Sequence, residues 1–232
     1  MNAIILAAGI GSRLGEITKE IPKPMIKIKG KPIIEHNIEL CKKFGVENIY
    51  INLHHLPDTI IKYLGDGKKY DLNINYNFES EILGTAGALE PFLPKLDKDP
   101  FFVLYGDNFT KIDLKSLYKF HIDKISDFTI AMHFREDVSH SGVLECNEVG
   151  RVKSFIEKPQ PNETSSNWVN AGVYLVDPKI IFHMIEKSLD FGRDIIPKLV
   201  SRNCKVFGFR IDEKVIAIDT PQMLEDALEL NN

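Results

Sequence analysis

Short apolar runs at Ala3–Ala7, Asn48–Leu53 and Phe101–Tyr105, with helix-periodic stretches from Pro32 to about Phe44 and from Pro57 to Tyr63, constrain this chain more than any other feature. A strand, a helix and a second strand in that order form a βαβ unit, because the helix must carry the chain back across one face of the sheet. Pro32 suits a first helical turn, where its missing N–H has no partner to lose. Asn73–Asn77 adds a strand, Thr85 to about Phe92 a helix, and Phe101–Tyr105 reads as a strand buried on both faces. The expected fold class is α/β: a Rossmann-like, mixed but mainly parallel central sheet flanked by helices.

The second half is richer in strands. Phe128–Phe134, Gly142–Cys146, Arg151–Ile156 and Val169–Val176 lie close enough in sequence to pair antiparallel. Helical patterns follow at Pro178–Ile185 and Asp194–Val200, then strands at Lys205–Arg210 and Val215–Ile218, and a helix at Pro221–Leu230. No repeat, low-complexity segment or long linker interrupts the 232 residues. They read as a single domain, 1–232, with one lobe at about 1–110 and another at about 111–232.

The first strand runs into a glycine-rich turn. Gly9 and Gly11 allow a tight turn whose successive N–H groups can face an anion without interference from Cβ atoms. Arg13 and Lys23 add positive charge, and Pro22 and Pro24 are expected to hold Lys23 in a stiff, extended segment. A dinucleotide fingerprint would need glycine where Leu14 stands, and a P-loop would need Gly-Lys-Ser/Thr. The residues alone allow a phosphate site or an ordinary turn. Asp107 ends the Phe101–Tyr105 run and either closes a turn or faces a cation. In open α/β sheets ligands sit beyond the carboxyl ends of strands, which places both motifs at one crevice.

A net charge of −4, with 44% hydrophobic and 27% charged residues, gives no bias toward nucleic acid or anionic membrane, so phosphate binding has to be local. The start lacks a basic leader, and no apolar run approaches the ~20 residues that span a bilayer. A cytoplasmic protein is expected. Cys41, Cys146 and Cys204 are too far apart for a zinc site and odd in number, which suits buried or half-buried thiols. The seven histidines share no metal-ligand spacing.

Taken in order, Leu6-Ala7-Ala8-Gly9-Ile10-Gly11-Ser12-Arg13-Leu14, Pro22-Lys23-Pro24-Met25, Leu83-Gly84-Thr85-Ala86-Gly87, Gly106-Asp107, Glu157-Lys158-Pro159 and Asn170-Ala171-Gly172 resemble the sugar-1-phosphate nucleotidyltransferases, over essentially the whole chain. The resemblance implies a GT-A-like nucleotidyltransferase fold with a strand-rich sugar-binding lobe. It implies Mg²⁺-dependent attack by the phosphate oxygen of a sugar 1-phosphate on the α-phosphorus of a nucleoside triphosphate, releasing pyrophosphate. Such a reaction needs two anions held in line and their charge dispersed.

By the same resemblance Arg13, Lys23 and Asp107 are catalytic, and Leu6, Ala7, Ala8, Gly9, Gly11, Ser12, Gly84 and Thr85 complete the nucleotide site. Asp107 and Asp219 would hold Mg²⁺, while Asn108, Gly142, Glu157, Lys158, Asn170 and Gly172 would hold the sugar phosphate. Four of these residues have plainer readings. Thr85 suits a helix N-cap, Glu157-Lys158 an exposed charge pair, and Asp219 a cap for the helix at Pro221. The chain also departs from the family pattern, with Glu16 where relatives often have proline, Ser141 where they often have tyrosine, and Ala217 where many have tryptophan. Within the family the chain resembles small mannose- and heptose-1-phosphate guanylyltransferases, which puts GTP first. Uridylyl-, thymidylyl- or cytidylyltransferase, or a noncatalytic nucleotide-sugar-binding regulator, are the alternatives. The implied partners are the two substrates, with no nucleic acid or membrane, and a homo-oligomer is compatible with the family.

Overall fold

The computed structural model describes every residue except 97–98, 183, 185–188, 213–214, 219 and 230–232. It shows a mixed α/β fold of two compact units, one formed by Met1–Ile82, Val103–Lys111 and Val215–Asn232, the other by Leu83–Phe102 and Ile112–Lys214.

In the first unit Asn2–Leu6 (β1), Asn48–Leu53 (β2) and Asn73–Phe78 (β3) run parallel in that order. Phe101–Tyr105 (β4) neighbours β1 on its other edge. The helix Ile33–Phe44 (α1) starts one residue later than the sequence suggests, because Pro32 is extended at φ −55°, ψ 145° and pairs with Lys27. It stops at Gly45, whose φ of 97° only glycine adopts without strain and whose N–H reaches the Cys41 and Lys42 carbonyls. Its buried face carries Ile34, Ile38 and Cys41 at helical spacing, together with Asn37. Asn37, 1% exposed, donates to the carbonyl of Tyr105 at 3.2 Å, so α1 pins the end of β4 just before Gly106 and Asp107. Pro57–Leu64 (α2) follows β2 as the sequence suggests.

In the second unit the strand order is Val152–Glu157 (β7), Gly142–Cys146 (β6), Trp168–Val176 (β8), Phe128–Phe134 (β5), Val206–Arg210 (β9). All pairs are antiparallel except β5 with β9. A helix at Leu114–Asp123 (α3) was not foreseen. Its inward positions are Leu114, Leu117 and His121, and a histidine in the third place hides the apolar period. The helix expected over Thr85–Phe92 is one turn, Gly84–Gly87, then a 3₁₀ segment over Glu90–Lys95. Pro91 and Pro94 supply no N–H for a longer helix. The one expected over Asp194–Val200 starts earlier, with a wide turn at Phe191–Ile195 leading into Ile196–Ser201 (α4). The Pro178 helix is described over Pro178–Ile181, with residue 185 outside the described set. The Pro221 helix (α5) is described over Pro221–Glu229, with residue 230 likewise outside. All three cysteines are free, and no described helix is long and apolar enough to cross a membrane.

Two histidines set an acid limit on this fold. Burial brings His121 down to about 4, against the opposing charges of Asp177 and Asp127, while its Nδ1 meets Thr129 Oγ1 at 2.8 Å. Half-buried His133 also falls to about 4, through burial and the nearby charge of Arg135. Both are neutral when folded but take a proton below about pH 6.5 when unfolded. Stability is therefore full above pH 6.5 and lost as pH falls toward 4, by about 3 kcal/mol for His121. Urea unfolding between pH 7.5 and 4.5 checks this, and His121→Gln should flatten the acid limb.

Candidate active site

At the end of β1 the N–H of Ala7 donates to the side-chain oxygen of Asn52 at 2.9 Å, a buried bond to the end of β2. Beyond it, among the described residues, no N–H of Ala8, Gly9, Ile10 or Gly11 donates to a protein acceptor. A row of open amides on one turn is an anion-binding concavity. Gly11 closes it at φ 70°, ψ 29°, its carbonyl accepting from Leu14 N–H and Thr18 Oγ1. The 3₁₀ turn Ser12–Leu14 leaves Arg13 exposed and sinks Leu14 among Ile26, Ile28, Ile33 and Phe109.

The two glycines do different things. A Cβ on Gly9 would meet no protein atom within 4 Å, whereas one on Gly11 would lie 2.6 Å from Lys23 Cγ and 2.9 Å from Thr18 Cγ2. Gly11 is the floor on which the Lys23 stem lies. Lys23 is only 6% exposed and sits in a 3₁₀ turn, Lys23–Met25, so the flanking prolines make a tight turn and not the extended segment expected. Its Nζ donates to Asp107 Oδ2 at 2.7 Å. Asp107 follows Gly106, whose N–H reaches the Leu6 carbonyl at 2.8 Å and whose Cβ would lie 2.7 Å from that oxygen. The missing side chain lets the ends of β4 and β1 close together and brings the carboxylate to the turn. Asn108 is buried in a two-residue ladder with Ala217, and Asp219 lies outside the described residues.

In the second unit Gly84 is left-handed at φ 78°, and a Cβ there would strike Leu189 O at 2.4 Å. Thr85 does not cap a helix. Its hydroxyl and N–H both donate to Asp190 Oδ1, at 3.0 and 3.1 Å, and its Oγ1 accepts from Phe191 N–H at 2.9 Å.

Glu157 ends β7 opposite Gly142. Its Oε2 fills space that a Cβ on Gly142 or Gly192 would need, at 2.8 and 2.6 Å. Burial raises the pKa of this half-buried carboxyl, Lys158 and Arg193 oppose that shift, and Asp190 adds to it. Lys158 has φ 55° with its N–H on Ser141 O at 3.0 Å, a left-handed conformation rare outside glycine and held here between strand and proline. Asn170 and Gly172 form an irregularity in β8, where pairing with β5 shifts between Asn170 and Tyr174. Asn170 holds it by accepting from Gly172 N–H at 2.9 Å and donating to Tyr174 OH at 2.6 Å. Such bulges re-aim side chains at the ends of strands.

The family model described as nucleotidyl transferase matches residues 2–213. The chain belongs to the nucleotidyl transferase family. It is 37% identical over 227 residues to a UTP–glucose-1-phosphate uridylyltransferase of Synechocystis, covering 91% of this chain and 58% of that one. It is 34% identical over 213 residues to a probable mannose-1-phosphate guanylyltransferase of Oryza sativa, covering 90% and 58%. The chain thus spans a little over half the length of these curated relatives. The crystal structure of HddC from Yersinia pseudotuberculosis superposes with a TM-score of 0.83 at 29% identity over 98% of both chains.

This nucleotidyl transferase chain also carries polar groups at its site that sequence reasoning passed over. Asn52 Nδ2 donates to Glu79 Oε1 at 2.8 Å, so one buried amide joins Ala7, β2 and a carboxylate just beyond β3. A polar residue near the end of the apolar run Ile49-Tyr50-Ile51-Asn52 was the available signal. Thr18, Asp190 and Arg193 gave none. His54 and His55 meet the backbone carbonyls of Glu79 and Thr18, and among the described residues no three His, Cys, Asp or Glu are grouped to hold a metal.

The contrast between the two glycines is testable. Gly9→Ala should leave the melting temperature unchanged while weakening nucleotide binding, because only a ligand could meet the added methyl. Gly11→Ala should lose about 1–2 kcal/mol from the left-handed backbone alone and also displace Lys23. Thermal melts with and without nucleotide separate the two; equal melting losses would contradict the assignment.

Proposed function

We propose that this chain transfers a nucleoside monophosphate from a nucleoside triphosphate to a sugar 1-phosphate, forming a nucleotide-sugar and pyrophosphate. The observation that carries the reading is the Lys23 ammonium, 2.7 Å from Asp107, in the same unit as the open amides of Ala8–Gly11. In this reading the amides and Arg13 hold the β- and γ-phosphates, which become the leaving group. Lys23 bridges the α-phosphate and the departing oxygen and so stabilises charge as it develops.

Asp107 is a hard oxygen donor, and Mg²⁺ typically takes one or two carboxylates together with phosphate oxygens, so the residue fits that ion; Asp219 is proposed as the second carboxylate. Bound there, Mg²⁺ would offset negative charge on the triphosphate. In the second unit Lys158 would bind the sugar phosphate and Glu157 the sugar hydroxyls. The backbone of Gly142 and the bulge at Asn170 and Gly172 would shape the sugar pocket, and Gly84 and Thr85 would border the nucleotide.

GTP is the first choice of nucleotide. The guanylyltransferases among the relatives agree with GTP. The 37% identity to the Synechocystis uridylyltransferase favours UTP as a second reading. The sugar is proposed to be a hexose 1-phosphate of the mannose or glucose type.

Pyrophosphate release with Mg²⁺, each of four triphosphates and a panel of sugar 1-phosphates decides the reading; no release with any pair would overturn it. Lys23→Met should cut turnover by about 10²–10³-fold, and Asp107→Asn should abolish Mg²⁺-dependent turnover with the chain still folded by circular dichroism.

A further inference from the structure

The Gly84–Gly87 turn is closed internally by Ala88 N–H on the Gly84 carbonyl at 3.1 Å, but the N–H groups at 85–87 are held from elsewhere. The N–H of Thr85 goes to Asp190 Oδ1, and those of Ala86 and Gly87 go to Leu189 O at 2.9 and 3.1 Å. The Thr85 hydroxyl donates to the same Asp190 oxygen and receives Phe191 N–H, while Gly84 lies too close to Leu189 to carry a Cβ. The turn therefore takes much of its shape from a segment more than a hundred residues away, since Thr85 and Asp190 are 105 positions apart.

That segment leads directly to the sugar side. Asp190 N–H donates to Asp194 Oδ2 at 2.7 Å, tightening the start of the wide turn. Phe191 is buried against Tyr174 and Phe128, with ring centroids 5.0 and 5.8 Å away, which fixes the next residue. Gly192 then abuts Glu157, where its Cβ would come within 2.6 Å of Oε2. The charges of Asp190 and Arg193 act on that carboxyl in opposite directions.

We propose that Asp190 is a positioning residue that couples the two substrates. It locks the 84–87 turn and the 189–193 segment into one piece, so that a nucleotide bound at the turn also fixes the wall against which Glu157 meets the sugar. The inference rests on the reading that Gly84 and Thr85 meet the nucleotide and Glu157 the sugar. The first ligand to bind orders the shared piece, and the second then binds to a site already ordered, which is positive cooperativity without a second conformation. No contact between Asp190 and either substrate is needed.

The test is calorimetric titration of the full chain with mannose 1-phosphate, with and without the α,β-methylene analogue of GTP and Mg²⁺, repeated with glucose 1-phosphate and the UTP analogue. Wild type should bind the sugar phosphate at least about 5-fold tighter when the nucleotide analogue is present. Asp190→Ala should bring that ratio toward one, whereas Asp190→Asn, which keeps Oδ1 as an acceptor for Thr85, should preserve it. Should Asp190→Ala fail to fold, Thr85→Val removes the same side-chain link from the other end and should also lower the ratio. A residue that is only structural would lower the melting temperature and leave the ratio alone. An unchanged ratio in a folded Asp190→Ala or Thr85→Val chain, or no coupling in a wild type that turns over, overturns the coupling alone. A wild type that binds neither ligand overturns the functional reading and the coupling with it.

Discussion

A buried lysine, only 6% exposed, cannot be left without a counter-charge, and much of the first unit's design follows from how Lys23 meets Asp107. An unpaired buried charge costs several kcal/mol, so the pair forms only because both partners are delivered accurately. Gly11 clears the path of the lysine stem, Pro22 aims the turn that carries it, and Leu14 roots the glycine turn in an apolar cluster. On the other side Gly106 lets β4 close on β1, and Asn37 holds the Tyr105 carbonyl, so Asp107 leaves the strand in a fixed direction. The glycines of this motif thus serve a cation as much as an anion.

The second unit solves a related problem with the opposite sign. Glu157 keeps a half-buried carboxylate at a strand end, its protonation favoured by burial and opposed by Lys158 and Arg193. Two glycines, Gly142 and Gly192, leave the space its oxygen fills. The irregular stretch of β8 is stabilised by the side chain of Asn170 itself, so the motif Asn170-Ala171-Gly172 is a self-supporting bulge.

Much of the scaffold was legible because strand formation here follows local rules. The runs at Asn48–Leu53, Phe101–Tyr105, Phe128–Phe134 and Gly142–Cys146 appear with the bounds read from apolar content and turn residues. Helices were harder wherever polar or ring residues masked the period. α3 hides behind His121, which is neutral and bonded to Thr129 in the core, and the 84–95 stretch is split by prolines that the apolar pattern ignores. Thr85 looked like a cap from its position, but its hydroxyl is committed to Asp190.

The sequence by itself determined the strand-to-glycine turn, the apolar strands and the set of residue types suited to phosphate, since backbone dihedrals, side-chain volume and periodicity act over a few neighbouring positions. Tertiary structure decided which of those residues meet. Lys23 and Asp107 are 84 positions apart, Thr85 and Asp190 are 105, and Asn52 joins Ala7 to Glu79 across three strands. The last of these meetings depends on parallel register bringing strand ends level, the first two on backbones and stems packed too close for a Cβ at Gly11, Gly106 and Gly84, and both are properties of packed chains that no local stretch of residues possesses.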